Sequence, residues 1–170
     1  TYLGTAAAEG LPAVFCNCPT CVAARKSGGR NVRTRSQILI CDDLLIDFPM
    51  DTYMHALHNG LDLSRVKHVF ITHSHMDHCY ALDFTMHGAP YAHDMTEPNV
   101  HLYGNADVLA VFAEQTRREM HADIAPTVRL HRLSPYERTQ ADAFTVTALP
   151  ARHTVGEDCL TYLVEKHGKR

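Results

Sequence analysis

Apolar positions in this chain fall into short, β-branched runs separated by polar turns, with two stretches of helical spacing between them. In "SQILICDDLLIDF" two such runs, at 37–41 and 44–48, flank Asp42 and Asp43, which predicts a hairpin-like pair of strands whose turn uses the tolerance of Asp for tight backbone angles. "MDTYMHALHNGLDLSRV" then has Asp51 as a candidate N-cap, helical spacing through Tyr53, Met54 and Leu57, and Asn59-Gly60 as a stop. "VKHVFI" at 66–71 is a compact strand, and "NVHLYG" another. "NADVLAVFAEQTRREMH" reads as an amphipathic helix capped by Asn105 or Asp107, with Val108, Leu109, Val111 and Phe112 on its apolar face. "TVRLHRL", "AFTVTALP" and "LTYLVEK" are three later strands. The order strand, helix, strand predicts an α/β layered fold.

At the N-terminus, "TYLGT" resembles the end of a strand, and the Ala-, Gly- and Pro-rich stretch after it reads as a long excursion with a short helix near residues 19–26. Together with the strand that enters a turn at the other end, this suggests one domain over 1–170, truncated at both ends and carrying a Cys-rich insertion at about 12–30. With 45% hydrophobic and 21% charged residues the composition is that of an ordinary globular protein. A net charge of −3 provides no field for holding a nucleic-acid backbone, so nucleic acid is not favoured, and Arg25, Lys26, Arg30, Arg33 and Arg35 read as a solvated loop. No apolar run is long enough to span a membrane and no signal segment opens the chain, so the expected location is the cytoplasm.

Candidate chemistry concentrates in "THSHMDH". His73 and His75 are two apart, so in an extended segment leaving a strand both imidazoles project to one side and can share an ion. Asp77 is a good helix starter, and a turn into a helix there would aim Asp77 and His78 at a neighbouring position. Chance would produce this H-x-H-x-D-H spacing roughly 0.005 times in a chain of this composition, so incidental histidines are a poor explanation. Zinc-like ions take tetrahedral or five-coordinate shells, so a distant ligand is needed, and His153, just after the strand that ends near Pro150, is the best candidate. Asp47, at the end of "LLIDF", is placed to accept a hydrogen bond from a ligand imidazole and fix its tautomer. Thr72 and Ser74 are expected to satisfy local backbone, and Cys79 to be buried. His87 and His93 lie in a Pro- and Gly-containing stretch that could border a substrate, although loop histidines are more often merely solvated. His55, His58, His68, His101, His121 and His131 receive no role.

Cys16, Cys18 and Cys21, in "FCNCPTC", offer three thiolates that can wrap a zinc if a fourth ligand arrives; His167 is available, but nothing clearly supplies it.

"THSHMDH" after an apolar strand, preceded by "LLIDF" and followed by "ARH", resembles the metallo-β-lactamase superfamily of hydrolases. The resemblance implies an αββα sandwich, here an incomplete N-terminal part of one, with His73, His75 and His153 around one metal and Asp77 and His78 around a second. Of these, Asp77 and His78 would stand closest to the reaction. The family's bridging Asp and its last metal-binding His would lie beyond the end of this chain. "GTAAAEGLPAVFCNCPTC" is similar to the branch containing the phosphodiesterase of the carbon-phosphorus lyase pathway, in which such cysteines hold a structural zinc with a distant His. The related coenzyme PQQ biosynthesis B branch shares the Cys-bearing opening but typically has a degenerate histidine motif, so the intact motif points to the former. The implied function is hydrolysis of small or cyclic phosphodiesters by a metal-activated hydroxide, with two Zn, Mn or Fe ions at the active site and one structural Zn. A tRNA-processing nuclease, a thioester hydrolase and a non-catalytic metal-binding fragment are the alternatives, and a homodimer is left open.

Overall fold

The computed structural model describes residues 1–169. Its elements run β1 (Tyr2–Gly4), α1 (Pro19–Ser27), β2 (Gln37–Ile40), β3 (Leu44–Ile46), α2 (Thr52–Asn59), β4 (His68–Phe70), β5 (Val100–Gly104), α3 (Ala106–Thr116), β6 (Val128–Arg132), β7 (Arg138–Ala141), β8 (Phe144–Pro150) and β9 (Leu160–Lys166). The first six strands form one sheet in chain order, antiparallel from β1 to β3 and parallel from β3 to β6; β7, β8 and β9 form a second, antiparallel sheet.

The period-two alternation of the strands creates two separate cores. Leu45, Val69, Ile71 and Leu102 pack outward against Val108 and Phe112 of α3 and Phe84. Leu44, Phe70 and Tyr103 pack inward against Phe144, Val146, Ala148 and Leu160 of the smaller sheet. Phe70 and Tyr103 stack with ring centroids 4.2 Å apart, and Tyr162 meets Phe70 edge-on. The outer cluster joins α3 to the larger sheet and the inner one joins the two sheets, so helix, sheet and sheet layers of an αββα sandwich are present among the described residues. No helix among them is long and apolar enough to cross a membrane.

Three local expectations change, and one strand is added. Asp51 makes no side-chain cap to α2; its carboxylate is held by the Arg35 guanidinium at 3.1 Å, while Arg35 Nε donates to Ala8 O and ties down the N-terminal excursion. The left-handed residue of the β2–β3 turn is Cys41, not either Asp. Beyond Asp77 the chain forms turns and then a 3₁₀ run over Ala81–Met86, with no α-helix: the backbone stops instead to bridge Phe48 and Cys79. Strand β7 escapes hydropathy because Arg138 and Gln140 face solvent and only Ala141 is buried; its pairing with β8 defines it.

At the junction of β5 and α3, Gly104 permits a close approach that no other residue allows: a Cβ there would lie 2.5 Å from Val108 Cγ1. Gly104→Ala should therefore destabilise the fold by about 1–3 kcal/mol, the usual cost of overpacking, as read by urea denaturation.

Candidate metal centre

Both ligand-bearing loops leave strands at the same end of the sandwich. The loop after β4 and the loop after β8 are joined across the two sheets by the Leu160 N–H to Thr72 O (2.8 Å) and by the Tyr162 hydroxyl to Ile71 O (2.6 Å). That juxtaposition brings His73, His75 and His153 together: one nitrogen from each lies within 4.8 Å of the other two. Ring centroids are 4.8 Å apart for His73 and His75 and 4.5 Å for His73 and His153. His73 is buried, whereas His75 and His153 are exposed, so the cluster opens to solvent on one side.

Asp47 organises the protons of this cluster. Its backbone is left-handed at φ 62°, a strained setting for a non-glycine residue, and its carbonyl is held by the buried Gln37 Nε2 at 3.0 Å. The turned carboxylate accepts from the Thr72 N–H and hydroxyl through Oδ1 (2.8 and 2.9 Å) and meets His78 Nδ1 through Oδ2 at 2.7 Å. Because the Thr72 hydroxyl proton goes to Asp47, its oxygen must accept from His73 Nδ1–H at 3.0 Å, which leaves His73 Nε2 as the unprotonated nitrogen. That Nε2 is buried and has no hydrogen-bond partner. Burial first, then the neighbouring His78 and His153, push the His73 pKa down to about 4, so this lone pair is free at neutral pH.

Asp77 and His78 lie beside the trio and outside it. The His78 ring is 4.2 Å from that of His73, and its Nε2 is 3.2 Å from Asp77 Oδ2. With Nδ1–H committed to Asp47, a neutral His78 would turn a lone pair toward the Asp77 carboxylate. A shared cation removes that repulsion, and without one a second proton does: burial pulls the His78 pKa down, but the hydrogen bond and charge of Asp47, with the charge of Asp77, outweigh it and raise it. An orphaned buried nitrogen, three converging imidazoles and an adjacent lone-pair–carboxylate contact fit a divalent ion of the zinc or iron type. Cys79, next in the chain, is buried, and that burial first, with Asp47 and Glu157, pushes its thiol up to about 12.

The three sulfurs of Cys16, Cys18 and Cys21 also lie within 4.8 Å of one another, and no His, Asp or Glu among the described residues joins them, His167 included. The Ala13 N–H points at Cys21 Sγ (3.4 Å), and the Cys21 backbone N–H together with the two neighbouring thiols lowers the Cys18 pKa to about 7. Such a cluster has the character of a zinc knuckle. His87 and His93 line a separate apolar cavity of about 560 Å³ with Phe48, Tyr53, Phe84 and Met86, and no member of the trio borders it. Two residues of the site escaped the sequence reading. Gln37 and Glu157 are ordinary polar side chains whose partners, Asp47 and Ser74, are distant in the chain, and no local pattern marks them.

Among curated proteins, the chain is 33% identical over 119 residues to coenzyme PQQ synthesis protein B of Methylobacterium radiotolerans, covering 63% of this chain and 37% of that one. Among solved structures, it is similar to a diphosphatase from the PhnP family (TM-score 0.75, 23% identity, 96% of this chain and 61% of that chain). It is also similar to Zn²⁺-bound PqqB from Methylobacterium extorquens (TM-score 0.71, 22% identity, 98% of this chain and 58% of that chain). The chain thus spans under two thirds of the length of each of these relatives. The beta-lactamase superfamily domain matches residues 43–170, a stretch that holds both histidine-bearing loops and the strands that aim them, and the chain belongs to this superfamily.

Proposed function

We propose that the chain carries the metal-binding part of a hydrolase acting on small phosphodiesters or diphosphates. The convergence of His73, His75 and His153 around a buried, partnerless Nε2 carries this reading. The likeness to a PhnP-family diphosphatase supports phosphorus as the centre attacked. His73, His75 and His153 would hold one divalent ion and Asp77 and His78 a second. Bound there, such ions lower the pKa of water toward neutrality and neutralise charge on a phosphoryl oxygen. Asp47 keeps the His78 Nδ1 proton in place and, through Thr72, the His73 Nδ1 proton, so both Nε2 atoms face the site as acceptors. Exposure of His75 and His153 leaves the site open to a small substrate. The three cysteines would hold a structural zinc.

The test uses the longest natural form of the protein with an aryl phosphodiester, a diphosphate ester, a thioester and RNA offered in parallel. Turnover of either phosphorus ester at least about tenfold above the others is expected, lost with chelator and restored by Zn²⁺ or Mn²⁺. Preference for the thioester or RNA would replace the reading by one of those classes.

A further inference from the structure

The histidines of the trio come from two loops, and something must fix the distance between them. Backbone bonds between the sheets hold the roots of the loops, Thr72 and Leu160, but His75 and His153 lie further out and are exposed. Glu157 spans the gap. Its Oε1 accepts from the Ser74 N–H and its Oε2 from the Ser74 hydroxyl, both at 2.8 Å, so the carboxylate grips the residue between His73 and His75 with both oxygens. Oε1 also accepts from Asn105 Nδ2 at 2.9 Å, and the same Nδ2 donates to Asp158 O at 2.9 Å. Asn105 is buried, and its own Oδ1 is committed to the Val108 N–H at the start of α3, so its amide can face Glu157 only with the nitrogen.

We infer that Glu157 is a positioning residue for the metal centre: with Asn105 it clasps the His153 loop and the His73–His75 loop to the first turn of α3, and so sets the separation of the three imidazoles before any ion arrives. The geometry separates this role from a general electrostatic one. A glutamine at 157 keeps Oε1 for Ser74 N–H and Asn105, and its amide can donate to a rotated Ser74 hydroxyl; an alanine keeps nothing. The inference rests on the metal reading of the trio, and the clasp itself exists without metal.

The test compares the wild-type chain, Glu157→Ala and Glu157→Gln in two measurements. Amide hydrogen exchange on metal-free protein reads the clasp: in Glu157→Ala, exchange at Ser74 and over residues 151–159 should accelerate at least about tenfold while Leu102 and Phe112 stay protected, showing that the fold is retained. Co²⁺ titration reads the centre, because thiolate ligation adds an intense near-ultraviolet charge-transfer band that imidazole ligation lacks, so the two clusters are followed separately. Affinity at the imidazoles should fall about 10–100-fold in Glu157→Ala and stay within about threefold of wild type in Glu157→Gln, with the thiolate site unchanged in both. Unchanged exchange at Ser74 in Glu157→Ala overturns the clasp. Faster exchange with unchanged Co²⁺ affinity overturns the positioning role, and so does a glutamine variant as weak as the alanine one. A wild-type chain that takes up no Co²⁺ at its imidazoles overturns the metal reading instead, and the exchange data then decide the clasp by themselves.

Discussion

His73→Ala should empty the imidazole site, lowering the zinc content by about one ion per chain while the ion on the cysteines is retained. The effect is expected to be this large because His73 is the buried member of the trio and its Nε2 is unprotonated and has no hydrogen-bond partner. His75 and His153 would remain as an exposed pair, which holds a divalent ion weakly. In the longest natural form of the protein, phosphoester turnover should fall about a thousandfold or more, since the charge stabilisation lost is about 4 kcal/mol. Metal analysis and turnover check the two statements independently. Full zinc content in the variant would exclude His73 as a ligand.

The second large effect is expected at Gln37, which touches none of the three imidazoles. Gln37→Leu preserves volume but removes the donor to Asp47 O and the partner of His55 Nδ1 (2.6 Å), both in the buried interior. His55 then has only the Thr34 hydroxyl on its Nε2 (2.7 Å), and the Asp47 carbonyl, held in a left-handed backbone, loses its donor. Each orphaned group costs about 1–3 kcal/mol, so the variant should lose about 3–5 kcal/mol. For a chain of this size that lowers Tm by about 10 °C or more. A shift under about 2 °C would mean that Asp47 keeps its conformation without the network.

How much of this could be read from the residues depends on the range over which each feature is encoded. The histidine motif is contiguous, so its spacing and the strand before it were enough to single out His73, His75, Asp77 and His78; His153 stood out because it repeats the strand-end setting of His73. The cap of α3 was legible for the same local reason as Asn105 or Asp107, and the structure assigns it to Asn105, whose side chain accepts from the Val108 N–H. Glu157 and Gln37 were not, since their meaning lies in partners 83 and 10 positions away, reached only through the folded sheets. Asp77, as a helix starter, predicts an α-helix that does not form, because the Phe48–Cys79 bridge draws the backbone into extended form before the 3₁₀ run over Ala81–Met86. Strand β7 is polar on its exposed face and is specified by its neighbour, not by its own residues.

The Leu160–Thr72 and Tyr162–Ile71 bonds make the two sheets meet where the histidines meet. An ion held by His73 on one layer and His153 on the other would therefore behave as a thermodynamic staple: it binds only when the layers are docked, so its binding free energy adds to their cohesion. At a free concentration a thousand times its dissociation constant, such a cation contributes about 4 kcal/mol, a large part of the stability of an ordinary domain. Chelation would then loosen the sandwich as a whole, and the abundance of a trace element would set how firmly its halves adhere.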